Sequence, residues 1–219
     1  MVDITMNGER LEAVDSFKYL GATITEDGRS VAEVKIRLAT ATSAMSRLSK
    51  MWRSKEISFP SKMKLFRSLV LSILLYGCES WTLTAELERR IEAFETKSYR
   101  RMLGISWFQH KTNEYVLNKV FSLAGPQEPL LSIVKRRKLS WFGHTTRHDS
   151  LSKTILQGTL EGKRKRGRQR KCWMDNIKDW TQMNMAQLLK KANDRPGWRE
   201  LSSAVSLMTP QRPSVTGQI

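Results

Sequence analysis

Apolar residues along the chain change their spacing near Ser30. Before that point the pattern is that of short strands. "DITMNGERLEAV" places Asn7-Gly8 between two short alternating segments, the residue pair favoured in a type I′ hairpin. "SFKYLGATI" follows and leads into "TEDGR"; Phe17 and Tyr19 predict a half-buried strand, with a close backbone approach at Gly21. From Ser30 on, Val31, Val34, Leu38, Ala41, Met45, Leu48 and Trp52 recur at spacings of three and four, which places them on one face of a helix.

Further helices follow from pattern and punctuation. "SFPSKMKLFRSLVLSILLYG" opens with Ser58 and Ser61 around Pro60, closes at Gly77, and is apolar nearly all round from Leu69 to Tyr76, as a buried core helix would be. "TAELERRIEAFETKSYRRMLGI" lines up Leu87, Ile91, Phe94 and Met102, with Thr84 as its cap and Gly104 at its end. "NEYVLNKVFSLAG" runs from Thr112 to Gly125-Pro126, and "EPLLSIVKRRKLSWFGH" forms the next helix. "SLSKTILQG" leads into a basic loop, after which "CWMDNIKDWT" is helical, with Trp173, Ile177 and Trp180 on a core stripe. "MAQLLKKANDRPGWREL" is a last amphipathic stretch before a Pro/Ser/Thr/Gly tail. The fold class is therefore mainly α: a short N-terminal β-hairpin, a helical bundle, and a small basic helical C-terminal domain. The expected boundaries are 1–29, 30–125, 126–200 and a disordered tail at 201–219.

Composition adds a partner class. The chain of 219 residues carries a net charge of +17 and a pI near 10.2, an imbalance typical of proteins that meet a polyanion, most often nucleic acid. Residues 131–180 hold fourteen Lys/Arg against four Asp/Glu, more than half of the excess. Two runs stand out there. Lys135, Arg136, Arg137 and Lys138 are consecutive on a helix, so their side chains wrap around it and cannot all face one partner. Lys163, Arg164, Lys165, Arg166, Arg168, Arg170 and Lys171 surround Gly167 in a loop. That loop admits three readings: direct phosphate contact, a nuclear-import signal, or a solvated loop. Lys35, Arg37, Arg47, Lys50 and Arg53 lie off the first helix's apolar stripe, as a solvated face or a phosphate-facing one.

Other chemistry finds little support. His110, His144 and His148 belong to no triad or H-E-x-x-H pattern, and Cys172 with His144 and His148 matches no zinc spacing. No Gly-rich phosphate loop and no paired aspartates on a predicted hairpin occur, so no metal or cofactor is expected for this chain. Two cysteines, Cys78 and Cys172, without a C-x-x-C spacing fit a reducing, intracellular setting, nuclear or cytoplasmic. The first thirty residues hold no secretory h-region, and "LVLSILLY" at 69–76 is too short to span a bilayer.

In order, "SFKYLGATITEDG", "LLYGCESWTLT", "ERRIEAFETKSYRRMLGISW", "HKTNEYVL", "VKRRKLSWFGHTTRHD" and "RKRGRQRKCWMDNIKDW" resemble the carboxy-terminal part of non-LTR (LINE-type) retrotransposon endonuclease–reverse transcriptases. The resemblance runs from about residue 2 to Trp198. It implies that Phe17, Lys18, Tyr19, Leu20 and Gly21 correspond to the primer grip after the polymerase palm. Residues from Ser30 to about Leu123 then correspond to the thumb, which holds template–primer. Leu130 to Trp198 correspond to a basic domain that contacts RNA template or target DNA.

The family's endonuclease, fingers and palm, with their A-D-D motif and Mg²⁺ ions, would lie upstream of residue 1. The expected protein is therefore a non-catalytic fragment that grips RNA or DNA with little sequence preference. The alternatives are a host-used nuclear binding protein and a non-functional element remnant. Gln169 stands where the family's R-G-R-P-R pattern has Pro.

Overall fold

The structure is a computed structural model that describes residues 5–6, 9–10, 12, 14–158 and 170–207. It is mainly α, with 71% helix. β1 (Thr5–Met6) pairs antiparallel with β2 (Glu9–Arg10), and β3 (Ser16–Tyr19) with β4 (Ala22–Thr25). Eleven α-helices follow among the described residues. They are α1 (Val31–Arg47), α2 (Ser49–Arg53), α3 (Phe59–Leu65), α4 (Ser72–Leu74), α5 (Ala85–Leu103), α6 (Asn113–Ala124), α7 (Leu130–Arg147), α8 (Leu151–Gln157), α9 (Trp173–Thr181), α10 (Met185–Asn193) and α11 (Arg195–Leu207).

The predicted punctuation operates as expected. Thr84 accepts the Leu87 amide at the start of α5, and Thr112 the Tyr115 amide at the start of α6. Gly104 ends α5 at φ +67°, the left-handed conformation of a C-terminal cap. The predicted core stripe of α5 is buried at Leu87, Ile91, Phe94 and Met102. The helix predicted over 58–77 is wound as a π-helix at Phe66–Leu71 between α3 and α4. It is not buried all round: Val70, Leu71, Leu74 and Leu75 face the core, while Leu69 and Tyr76 are exposed.

Four elements depart from the sequence reading. "SFKYLGATI" is not one half-buried strand but a hairpin, turned at Leu20-Gly21 and exposed along all of β3. Ser150 caps an additional helix, α8. The stretch from Met185 breaks at Asp194, just before Arg195-Pro196, into α10 and α11. Finally, α11 runs to Leu207, into the region read as tail, because Ser202, Val205 and Ser206 are buried. Asn7-Gly8 and residues 208–219 lie outside the described residues.

Two apolar clusters form the interior. The first runs from Val34 through α3–α6 to Leu130, Leu131 and Val134. The second gathers Leu139, Phe142, Ile177, Leu188, Ala192, Trp198 and Val205. Their division falls inside α7, and Trp180 packs against both.

Trp198 of α11 lies on the α7 backbone. Its indole Nε1 donates to Leu139 O at 2.9 Å, and its ring centre lies 5.4 Å from that of Phe142. A Cβ at Gly143 would fall within 3 Å of three indole atoms, so this position needs glycine for space. We expect Gly143→Ala to destabilise the protein by about 1–3 kcal/mol, read as a lower thermal midpoint. An unchanged midpoint would show that the indole has room to move.

Candidate nucleic-acid interface

The β3–β4 hairpin is built on a two-residue turn. Tyr19 pairs with Ala22, and Leu20 (φ +48°) and Gly21 (φ +81°) both occupy the left-handed region, as a type I′ turn requires. The nearest atoms to a Cβ at Gly21 would lie 3.9 Å away. Conformation, not the close backbone approach that was expected, selects glycine there.

Helix α1 and the C-terminal end of the α3–α4 helix hold this turn. Tyr76 Oη donates to Leu20 O at 2.6 Å, and the Arg37 guanidinium donates to Gly21 O. Arg37 also pairs with Glu33 at 2.6 Å and lies 4.6 Å from the centre of the Tyr76 ring. Glu33 in turn accepts the Thr23 amide at 2.7 Å. Arg37 thus belongs to the hairpin's seat rather than to a free face. Phe17 and Tyr19, with ring centres 6.4 Å apart, point to solvent with Lys18, Leu20 and Ile24 also exposed.

The basic run of α7 is dispersed by the fold. Lys138 has no exposed surface; its Nζ donates to Trp81 O at 2.7 Å and Asn176 Oδ1 at 2.9 Å. The indoles of Trp173 and Trp180 lie 4.5 and 5.6 Å from that Nζ. Lys135 is also buried, 5.5 Å from the Trp180 ring centre. The expectation of nucleic-acid contact therefore fails for Lys135 and Lys138: helical periodicity turns both toward α9, where the tryptophans cover them. Arg136 forms a bidentate pair with Glu128 at 2.7 and 2.8 Å, and Arg137 donates to Leu75 O at 3.1 Å; both remain exposed.

Lys163, Arg164, Lys165, Arg166 and Arg168 lie outside the described residues. Arg170 is exposed, and Lys171 pairs with Asp179 at 2.8 Å.

Asn176, which sequence reasoning did not single out, completes the buried network. Its Oδ1 accepts the Leu83 amide and its Nδ2 donates to Leu83 O, both at 2.7 Å. Trp173 Nε1 donates to Glu79 O at 2.8 Å. Trp173 and Trp180 are anchors, as their spacing predicts. The signal for Asn176 was its place three residues after Trp173 and four before Trp180, on the same stripe of a short helix.

The His144 and His148 rings lie 4.9 Å apart. Among the described residues no group of three or more His, Cys, Asp or Glu could hold a metal ion, and no helix is long and apolar enough to cross a membrane.

No family model matches the sequence, and no solved structure matches it. An uncharacterized transposon-derived protein of Caenorhabditis elegans is 29% identical over 172 residues, or 77% of this chain. The chain spans 61% of that relative's length. Over most of its length this chain is thus similar to a protein of transposon origin.

Burial pushes the Lys138 ammonium down to about 7, and Lys171 adds repulsion. The neutral amine still donates to both oxygens. An unfolded chain keeps this proton up to about pH 10.4, so it binds more protons than the folded chain above pH 7 and stability rises with pH. Burial raises the Cys78 thiol to about 11, which opposes the rise above about pH 8.5. Urea unfolding should therefore give a larger free energy at pH 8.5 than at pH 7.0, and Lys138→Met should abolish the difference. A flat parent profile would contradict this. Asn176→Ala, which strips both Leu83 backbone groups of their partner, should cost roughly 2 kcal/mol or more.

Proposed function

We infer that this chain is a nucleic-acid-gripping fragment of a non-LTR retrotransposon reverse transcriptase, comprising the end of the palm, the thumb and the basic C-terminal domain. The observation that carries this reading is the β3–β4 hairpin. Its backbone is locked to a helical bundle through Glu33, Arg37 and Tyr76, while Phe17, Lys18 and Tyr19 face outward. A rigid turn that presents aromatic and cationic side chains suits contact with a primer strand. The transposon-derived relative and the charge excess at 131–180 support the same reading.

Binding is electrostatic and largely independent of sequence. The ligand is template–primer or target nucleic acid, RNA or DNA, and the palm and fingers of a longer polymerase are the natural neighbours of the hairpin. The chain contributes grip rather than chemistry, because its sequence carries no A-D-D aspartate pair for Mg²⁺.

The purified chain should bind duplex or structured RNA in a fluorescence-anisotropy titration. With about five phosphates neutralised, log Kd should change with log salt at a slope of magnitude roughly 4–5. It should extend no primer at any Mg²⁺ concentration. Affinity insensitive to salt, or measurable primer extension, would refute this reading.

A further inference from the structure

Helices α7 and α11 enclose a cleft of about 650 Å³ lined by Arg136, His144, Arg147, His148, Arg195 and Arg199, with three serines and Trp198. No carboxylate lines it. Arg136 is neutralised by Glu128, but among the described residues Arg147, Arg195 and Arg199 make no salt bridge. Three uncompensated guanidinium groups therefore share one concavity.

Arg147 is the least accommodated of the three. Its Nη1 donates to Ala192 O at 2.8 Å, yet its Nε is buried without an acceptor. Burial and the neighbouring Arg195 both pull its pKa down. A fold that crowds like charges and leaves a guanidinium donor unmatched is arranged for an anion that supplies both acceptor and counter-charge.

The concavity continues past Arg136, Ser140 and His144 to Arg137 and Trp141, where Glu79 is the one bordering carboxylate. Both helices carry the lining at helical spacing: 136, 140, 144 and 147 on α7, and 195, 199 and 202 on α11.

We propose that the α7–α11 cleft is a phosphodiester-binding site that seats the backbone of the bound nucleic acid, with Arg147, Arg195 and Arg199 as its phosphate ligands. This rests on the nucleic-acid reading above, and all three phosphate ligands lie outside the basic runs of the sequence. Arg147 sits deepest and sets the position of one phosphate, while Arg195 and Arg199 reach in from the exposed face of α11.

The test uses the full chain and a labelled RNA hairpin of about twenty base pairs, titrated by anisotropy from 50 to 300 mM salt. The variant Arg195→Gln/Arg199→Gln changes two exposed residues, and thermal melts confirm its fold. Losing two phosphate contacts should lower affinity at least tenfold at 0.1 M salt and reduce the salt slope by about two. Lys64→Gln/Lys119→Gln removes equal charge from exposed positions outside the cleft and should retain most of the affinity.

If the parent binds and both double variants bind alike, the cleft assignment is overturned while the nucleic-acid reading stands. A parent that binds no RNA or DNA overturns that reading and the cleft with it. Equal, arginine-dependent binding of poly-glutamate would overturn the phosphodiester class.

Discussion

A buried ammonium group ties three distant stretches of this chain together. Lys138 donates to the carbonyl of Trp81 and the side chain of Asn176, under the rings of Trp173 and Trp180. Removing a cation from water is tolerable where oxygen acceptors and aromatic faces replace its hydration, and this site supplies both. Asn176 extends the link by pairing with both backbone groups of Leu83. The two apolar clusters meet here, within a single helix, so separating them would require exposing a mismatched set of polar groups together.

This arrangement alters what the charge map means. Positive charge clustered in sequence is not positive charge clustered in space. On α7, residues 135 and 138 turn inward while 136 and 137 turn out, and a concavity rich in arginine combines α7 with α11, a helix outside the basic segment. A net charge counted along the chain identifies the class of partner; the helical period decides which cations can meet it.

The helices were legible because their determinants are local. Apolar spacing, Thr84 and Thr112 as caps, and Gly104 as a terminator each act within a turn or two. The hairpin turn was missed because a leucine in the left-handed region is held there by Tyr76 and Arg37, far away in sequence. The end of α11 was misjudged because serines on a buried face resemble tail composition; Ser202 and Ser206 satisfy their hydroxyls on Trp198 O and Ser203 O. Of the candidate site, the exposure of Phe17 and Tyr19 depended on tertiary packing, which no local pattern encodes; the helical period required the four cations of α7 to diverge, and the packing of α9 decided which two turn inward.

The hydrogen bonds that seat the β3–β4 hairpin on the helices end on its backbone atoms. Leu20 O, Gly21 O and the Thr23 amide make the attachments. The exposed side chains of Phe17, Lys18, Tyr19 and Ile24 make none of these attachments, so they can change identity without removing one. Orientation and surface chemistry are inherited separately here, so the outward face can drift toward a new partner while its position stays fixed.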